Sequence, residues 1–253
     1  MKGIALYSVI PVRSEPSDKA ELCTELLFGE VYVVLEEARD GWLLIRNETD
    51  SYEGWISVKL HTECNSSEIG ELRPSRRIIE WMEEATSGIS FPVPLASRIP
   101  AEGKVLQIGN RIFKTLTRNP GEDLDPIMGI APSLVHTPYR WGGKTPFGID
   151  CSGFTQNIIL LQGHFLRRDA WQQAQQGDLI PFLSEAATGD LAFFDNEDGR
   201  IIHTGIIIKG EDQGFSILHA SGCVRKDMLD HHGIHHAETR QYTHRLRLIR
   251  RIS

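Results

Sequence analysis

The chain lacks the features that would commit it to a membrane, to nucleic acid or to a disulfide framework. No run approaches the roughly 18 apolar residues that a membrane-spanning helix requires, and a soluble protein is expected. The opening MKGIALYSVIPVRSEPSDKAE has no sustained apolar stretch and meets Pro11, Arg13 and Glu15 early, unlike a secretory signal. A cytoplasmic location is the expectation that follows. Lys and Arg total 27 against 34 Asp and Glu, so there is no basic surplus to meet a phosphate backbone. Nucleic acid is therefore not an expected partner. The four cysteines, Cys23, Cys64, Cys151 and Cys223, show no CxxC spacing, and in a reducing compartment free thiols are expected for all of them. No clear internal repeat is present.

What is present suffices for two domains: 253 residues, 40% of them hydrophobic and 24% charged. Residues 1 to 62 read as short strands between turns: IALYSVIPVR, ELCTELLFGE, VYVVLEE, GWLLIRN and, after NETDSYE, GWISVKL. This is the pattern of a small β-barrel. Residues 63 to 125 are less distinct and read either as a linker or as a degenerate second β module. ECNSSEIGELRPS is turn-rich, RRIIEWMEEATSG has helical spacing with Gly88 as a stop, and KVLQIGNRIFKTL suggests two strands about a Gly-Asn turn. From residue 126 the order changes. PIMGIAPSLVHTPY, SGFTQNIILLQGHF and WQQAQQG read as helices, the second starting at Cys151 or Ser152; GDLAFFD, GRIIHTGIIIKG, GFSILHASG and HRLRLIRRIS read as strands. Helices followed by an antiparallel sheet give an α+β layout.

The stretch GGKTPFGIDCSGFTQ sets Cys151 between Asp150 and Ser152 with glycines close on both sides. A cysteine at a helix start is expected to have a lowered pKa, because unpaired amides and the helix dipole favour the thiolate. If RIIHTGIII and GFSILHASG pair across the KGEDQ turn with residue 207 opposite 215, then His203 faces His219 directly, and two imidazoles on one sheet face become available to one thiol. A Cys-His-His zinc site is the rival reading, but it lacks a fourth ligand and paired cysteine spacing. The cluster HHGIHH, residues 231 to 236, has the donor type of a metal site without a defining spacing, and no metal or cofactor is expected. Cys223 reads as a free small side chain, and Arg225 as either a carboxylate contact or a surface residue.

In order along the chain, TPYRWGG, GIDCSGFTQ, GDLAFFD, IIHTGIII and ILHASG resemble the motifs of the NlpC family of papain-like cysteine peptidases. LLFGEVYVVLEEARDGWLLIRNETDSYEGWIS resembles a bacterial SH3-like domain. Together they resemble the subgroup of the dipeptidyl-peptidase VI type, γ-D-glutamyl-L-diamino acid endopeptidases acting on released murein peptides. The resemblance implies a papain-like catalytic domain preceded by a small SH3-like barrel, with Cys151 as nucleophile, His203 as general base and His219 as the orienting third residue. It places Tyr139 beside the nucleophile, and Asp150, Ser152 and Asp169 as substrate-binding residues for a free N-terminal L-alanine. Tyr52 and Glu21 are expected in the pocket wall. Asp150 and Asp169 are also natural helix caps, and Tyr139 is also readable as a half-buried aromatic ahead of a turn. A non-catalytic peptide or glycan binder, and a Cys-His-His amidase or acyltransferase on another substrate, are the competing functions.

Overall fold

A computed structural model describes residues 1–38, 40–116, 124–211 and 214–253. The chain forms two compact units. The first comprises the described residues of Met1–Asp123 together with Trp141–Pro146; the second comprises Leu124–Arg140 and Phe147–Ser253.

In the first unit, six strands make one sheet in the order Lys2–Ile4, Val31–Ala38, Trp42–Asn47, Glu53–Ser57, Val9–Arg13, Leu22–Leu27. Alternation along these strands turns Ile10, Val12, Leu43, Ile45 and Ile56 to one side, where they form a core with Ala5, Leu26 and Tyr32. This is the SH3-like module. Residues beyond 62 are built of strands as well: Leu106–Ile108, Arg111–Thr115, Ile79–Glu84 and Ile89–Pro94 form a four-stranded sheet, and Leu72–Pro74 pairs with Arg98–Pro100. Their core is Met82, Val93, Ile99, Leu106, Ile108 and Phe113, shared with Ile4, Leu6, Phe28 and Cys64.

The helical reading of RRIIEWMEEATSG is corrected here, because Ile79–Glu84 is a strand paired on both sides. Glu80 and Met82 are buried while Trp81 is exposed, a period of two that suits a sheet with two waiting partners. Within the same unit, Lys144 Nζ pairs with Glu30 at 3.0 Å, both fully buried, and the Lys144 N–H donates to Glu25 Oε2 at 2.7 Å. Gly142, at φ +73°, has no room for a side chain, since an added Cβ would lie 2.4 Å from the Leu22 carbonyl oxygen.

The second unit is α+β. Its sheet runs Asp178–Ile180, Tyr242–Arg251, Leu191–Asp195, Ile201–Lys209, Phe215–Ser221, Cys223–Leu229, Gly233–His235, and the last of these pairs back onto Tyr242–Arg251, so the sheet closes on itself. Ala192, Phe194, Ile207, Ile217, Leu229, Ile234 and Ile249 fill its apolar centre. Helix α1 (Cys151–Leu161) packs on the strands Ile201–Lys209 and Phe215–Ser221, and every residue in it is buried. Helix α2 (Ala170–Gln173) follows. The segment expected as a helix at PIMGIAPSLVHTPY is instead two successive helical turns, Pro126–Ile130 and Ala131–Leu134. Pro132 supplies no backbone donor to join them into one α-helix. Among the described residues no helix is long and apolar enough to cross a membrane.

Candidate active site

Cys151 occupies the first position of α1, behind Asp150 as N-cap. The Asp150 carboxylate accepts from the Gly153 N–H at 2.7 Å, satisfying one of the amides a helix start leaves unpaired. The same carboxylate takes a two-pronged bond from Arg168, at 3.0 Å to Oδ1 and 2.6 Å to Oδ2. Arg168 also donates to Ser152 Oγ at 2.8 Å, and the Ser152 hydroxyl lies 3.3 Å from Asp150. Arg168 is 1% exposed, so the entire clamp is out of water. Gln173 holds it from behind by donating to the carbonyls of Ser152 and Arg167. The cap that the sequence allows Asp150 is thus present.

The thiol is 6% exposed, and burial pushes it up to about 12. The Asp150 charge adds to that rise, while the amides of Thr204 and Ser152 and the Arg168 guanidinium act against it. The expectation of a lowered pKa is thereby corrected: the helix start is present, but desolvation of the anion is the larger effect. Thr204 follows His203 in sequence, so its amide at the thiol sets Cys151 against the strand that carries the histidine.

His203 Nε2 and His219 Nδ1 are 2.8 Å apart, and both rings are buried. Their register differs from the expected one. Gly205 pairs with His219, and Lys209, rather than Ile207, pairs with Phe215. The strands run two residues further toward the turn, and the Gly210 N–H bonds to the Gly214 carbonyl to close it. Asp212 and Gln213, at the tip of the turn invoked from sequence, lie outside the described residues. A shift of two preserves the facing of every side chain, so both histidines still share one face, diagonally instead of directly. Gly205 leaves the room that His219 Cβ and Ile217 occupy, an added Cβ there lying 2.8 Å from each.

Four residues that the sequence reading did not single out complete the site: Arg168, Gly205, Asp227 and His244. His219 Nε2 lies 3.0 Å from Asp227 Oδ2, and Arg225 grips the same carboxylate with 2.6 and 3.1 Å bonds. The Arg225 side chain is therefore committed within the protein. His244 stacks on His203 with ring centroids 4.2 Å apart and planes 25° apart. It also lines an open pocket of about 530 Å³ with His232, Tyr242, Thr243 and Arg245. Burial, then His219 and His244, hold His203 well below the usual imidazole range. His219 is lowered too, burial outweighing its bond to Asp227. Burial alone would raise Asp227, but the bonds from His219, Arg225 and the Ala237 N–H outweigh it and hold the carboxyl well below the ordinary range.

Tyr139 is half-buried, and its hydroxyl is pushed up by burial and then by the charges of Cys151 and Asp150, which places it within electrostatic reach of the nucleophile. Asp169 is half-buried and caps α2 in a reciprocal arrangement with Gln172. Ser152 stands in the clamp described above. Tyr52, half-buried in the turn after Trp42–Asn47, and Glu21, exposed ahead of Leu22–Leu27, belong to the first unit, whereas Cys151 belongs to the second. His231 and His232 pack together in the turn before Gly233–His235, His232 against Tyr242.

A signal for Asp227 existed in HASGCVRKD. A tight turn centred on Gly222 pairs His219 with Arg225 and sets residue 227 two positions on, on the same face. For Arg168 the only cue was its place in RRDAWQQ, which says nothing of where the guanidinium goes.

The pattern of the NlpC/P60 family matches residues 136–247, and that of the bacterial dipeptidyl-peptidase Sh3 domain matches residues 12–59. The chain is 29% identical over 213 residues to the gamma-D-glutamyl-L-lysine dipeptidyl-peptidase of Bacillus subtilis, covering 74% of this chain and 69% of that one. It is 26% identical to dipeptidyl-peptidase 6 of Lysinibacillus sphaericus over 77% of this chain and 82% of that one. A gamma-D-glutamyl-L-lysine dipeptidyl-peptidase of Bacillus cereus is 32% identical over 71% of this chain and 62% of its own length. Among solved structures, an NlpC/P60 family protein from Bacillus cereus superposes with a TM-score of 0.80 at 18% identity, covering 99% of each chain, which shows the shared fold.

Proposed function

We propose that this chain, whose residues 136–247 match the NlpC/P60 family and residues 12–59 the bacterial dipeptidyl-peptidase Sh3 domain, is a cysteine peptidase that hydrolyses the γ-D-glutamyl to diamino-acid bond of cell-wall peptides bearing a free N-terminal L-alanine. The observation that carries this reading is the Cys151 thiol at a helix start, against the strand of a histidine that is itself 2.8 Å from a second histidine. The bond specificity is supported by the name of the Bacillus relatives, gamma-D-glutamyl-L-lysine dipeptidyl-peptidase.

In this reading the resting pair is a neutral thiol and a neutral imidazole. The thiol proton passes to His203 as sulfur attacks the scissile carbonyl, His203 delivers it to the departing amine, and a water deprotonated by His203 then hydrolyses the thioester, the thiol leaving with that proton. Amides at the start of α1, that of Cys151 foremost, meet the oxyanion of the tetrahedral intermediate. Asp169, half-buried after Arg168, is the proposed acceptor for the substrate ammonium, where a charge-assisted bond is strong. Tyr139 and Ser152 are proposed to border the acyl group. The protein is further proposed to act in the cytoplasm, in peptidoglycan recycling, where its four free thiols are at home.

The test uses L-Ala-γ-D-Glu-L-Lys, L-Ala-γ-D-Glu-meso-diaminopimelate and the N-acetylated form of each, with products read by mass spectrometry beside Cys151→Ala. Release of L-Ala-γ-D-Glu from the free-amine peptides alone, abolished in the variant, is the expected result. Equal cleavage of acetylated peptides would overturn the amine requirement, and cleavage of none by folded protein would overturn the substrate class.

A further inference from the structure

We propose that Asp227 is a positioning residue of the catalytic chain, fixing the tautomers of both histidines so that His203 presents a bare Nδ1 as the base. The inference rests on the assignment of Cys151, His203 and His219 above. Asp227 has a side chain with no exposed surface, and both its oxygens are engaged. Oδ2 faces His219 Nε2 at 3.0 Å and accepts from Arg225 Nε at 2.6 Å; Oδ1 accepts from an Arg225 terminal nitrogen at 3.1 Å and from the Ala237 N–H at 2.9 Å.

An ionised carboxylate can only accept, so the proton of His219 must sit on Nε2. That leaves Nδ1 of His219 as a lone pair, and the nitrogen 2.8 Å away, Nε2 of His203, must then carry its proton toward it. A neutral imidazole has one N–H, so Nδ1 of His203 is left unprotonated. The direction of all these bonds is set at the far end of the chain. Arg225 keeps Asp227 ionised in a buried place, because a charged and bidentate partner offsets the cost of desolvation.

The same chain serves the reaction. When the thiol proton moves to Nδ1, His203 becomes an imidazolium whose Nε2–H already points at His219, and His219 in turn remains bonded to an anion. The S–C bond forms, the C–N bond breaks, and the proton leaves on the amine. Asp227 stays ionised throughout and touches no substrate.

Asp227→Asn is the discriminating change. An amide can donate to His219 Nε2, which would reverse both bonds and place the His203 proton on Nδ1, where it blocks the base. A fall in kcat of roughly 10² to 10⁴-fold is expected, by analogy with an orienting aspartate in a catalytic triad, with KM changed less than about threefold. Asp227→Glu, which restores a carboxylate, should recover part of the loss. Nitrogen-15 NMR of histidine-labelled wild-type protein reads the tautomers without any variant at residue 227, His203→Gln and His219→Gln serving only to assign the signals. Protons on Nε2 of both rings are expected. An Nδ1 proton on either ring, or a folded Asp227→Asn enzyme with kcat within about threefold of wild type, would overturn the proposal. Cys151→Ala and His203→Ala separate this from failure of the underlying reading: if they keep activity the site assignment falls, and if they lose it while Asp227→Asn does not, only the role of Asp227 falls.

Discussion

Gly205 stands opposite His219 on the neighbouring strand, and a methyl group added at residue 205 would lie 2.8 Å from His219 Cβ and as close to Ile217. The strands approach too closely here for any side chain at residue 205.

Gly205→Ala is therefore expected to damage both stability and turnover. Overpacking at a buried site costs about 1–3 kcal/mol, and His219 must move to relieve it. Urea unfolding with peptide hydrolysis on the same samples reads both quantities. Unchanged kcat in a destabilised protein would show that the close approach serves packing alone.

The acid–base state of the nucleophile gives a second prediction. With burial pushing the Cys151 thiol up and holding His203 low, almost no thiolate is expected in the substrate-free protein at neutral pH. Alkylation of Cys151 by iodoacetamide, followed by peptide mass spectrometry to separate it from the half-exposed Cys23 and Cys223, should accelerate about tenfold per unit from pH 7 to 10. A plateau between pH 4 and 8 would instead reveal a standing thiolate–imidazolium pair.

Arg168 and Asp150 provide the third. Arg168→Leu removes the guanidinium and leaves a buried carboxylate without its bidentate partner, for an expected loss of roughly 3–5 kcal/mol. Arg168→Leu combined with Asp150→Asn should be less destabilised than Arg168→Leu alone, since the orphaned charge is gone. Thermal denaturation of the single and double variants decides it, and simple additivity would show that the two residues do not act as a pair.

Much of the site was legible before folding because its signals are local. A cysteine behind an N-capping aspartate, followed by a buried helical run, announces α1 within a dozen residues. The two histidines sit in strands whose apolar content fixes which face they share, and that facing survived a pairing shift of two residues because side chains in a strand alternate with a period of two. The stretch around Ile79–Glu84 was misread for the opposite reason. Its spacing fits either period, and only partner strands on both sides made it extended.

The sequence by itself determined the α+β order of the second unit, the strand content of the first sixty residues, and the nucleophile and histidine pair as types at particular positions. Tertiary structure alone decided the rest. It buried Cys151 deeply enough for desolvation to override the helix start, brought Arg168 to Asp150 across seventeen intervening residues, and laid His244 on His203 from the last strand. These depend on which surfaces lose their water together, a property of the packed chain that no local pattern encodes.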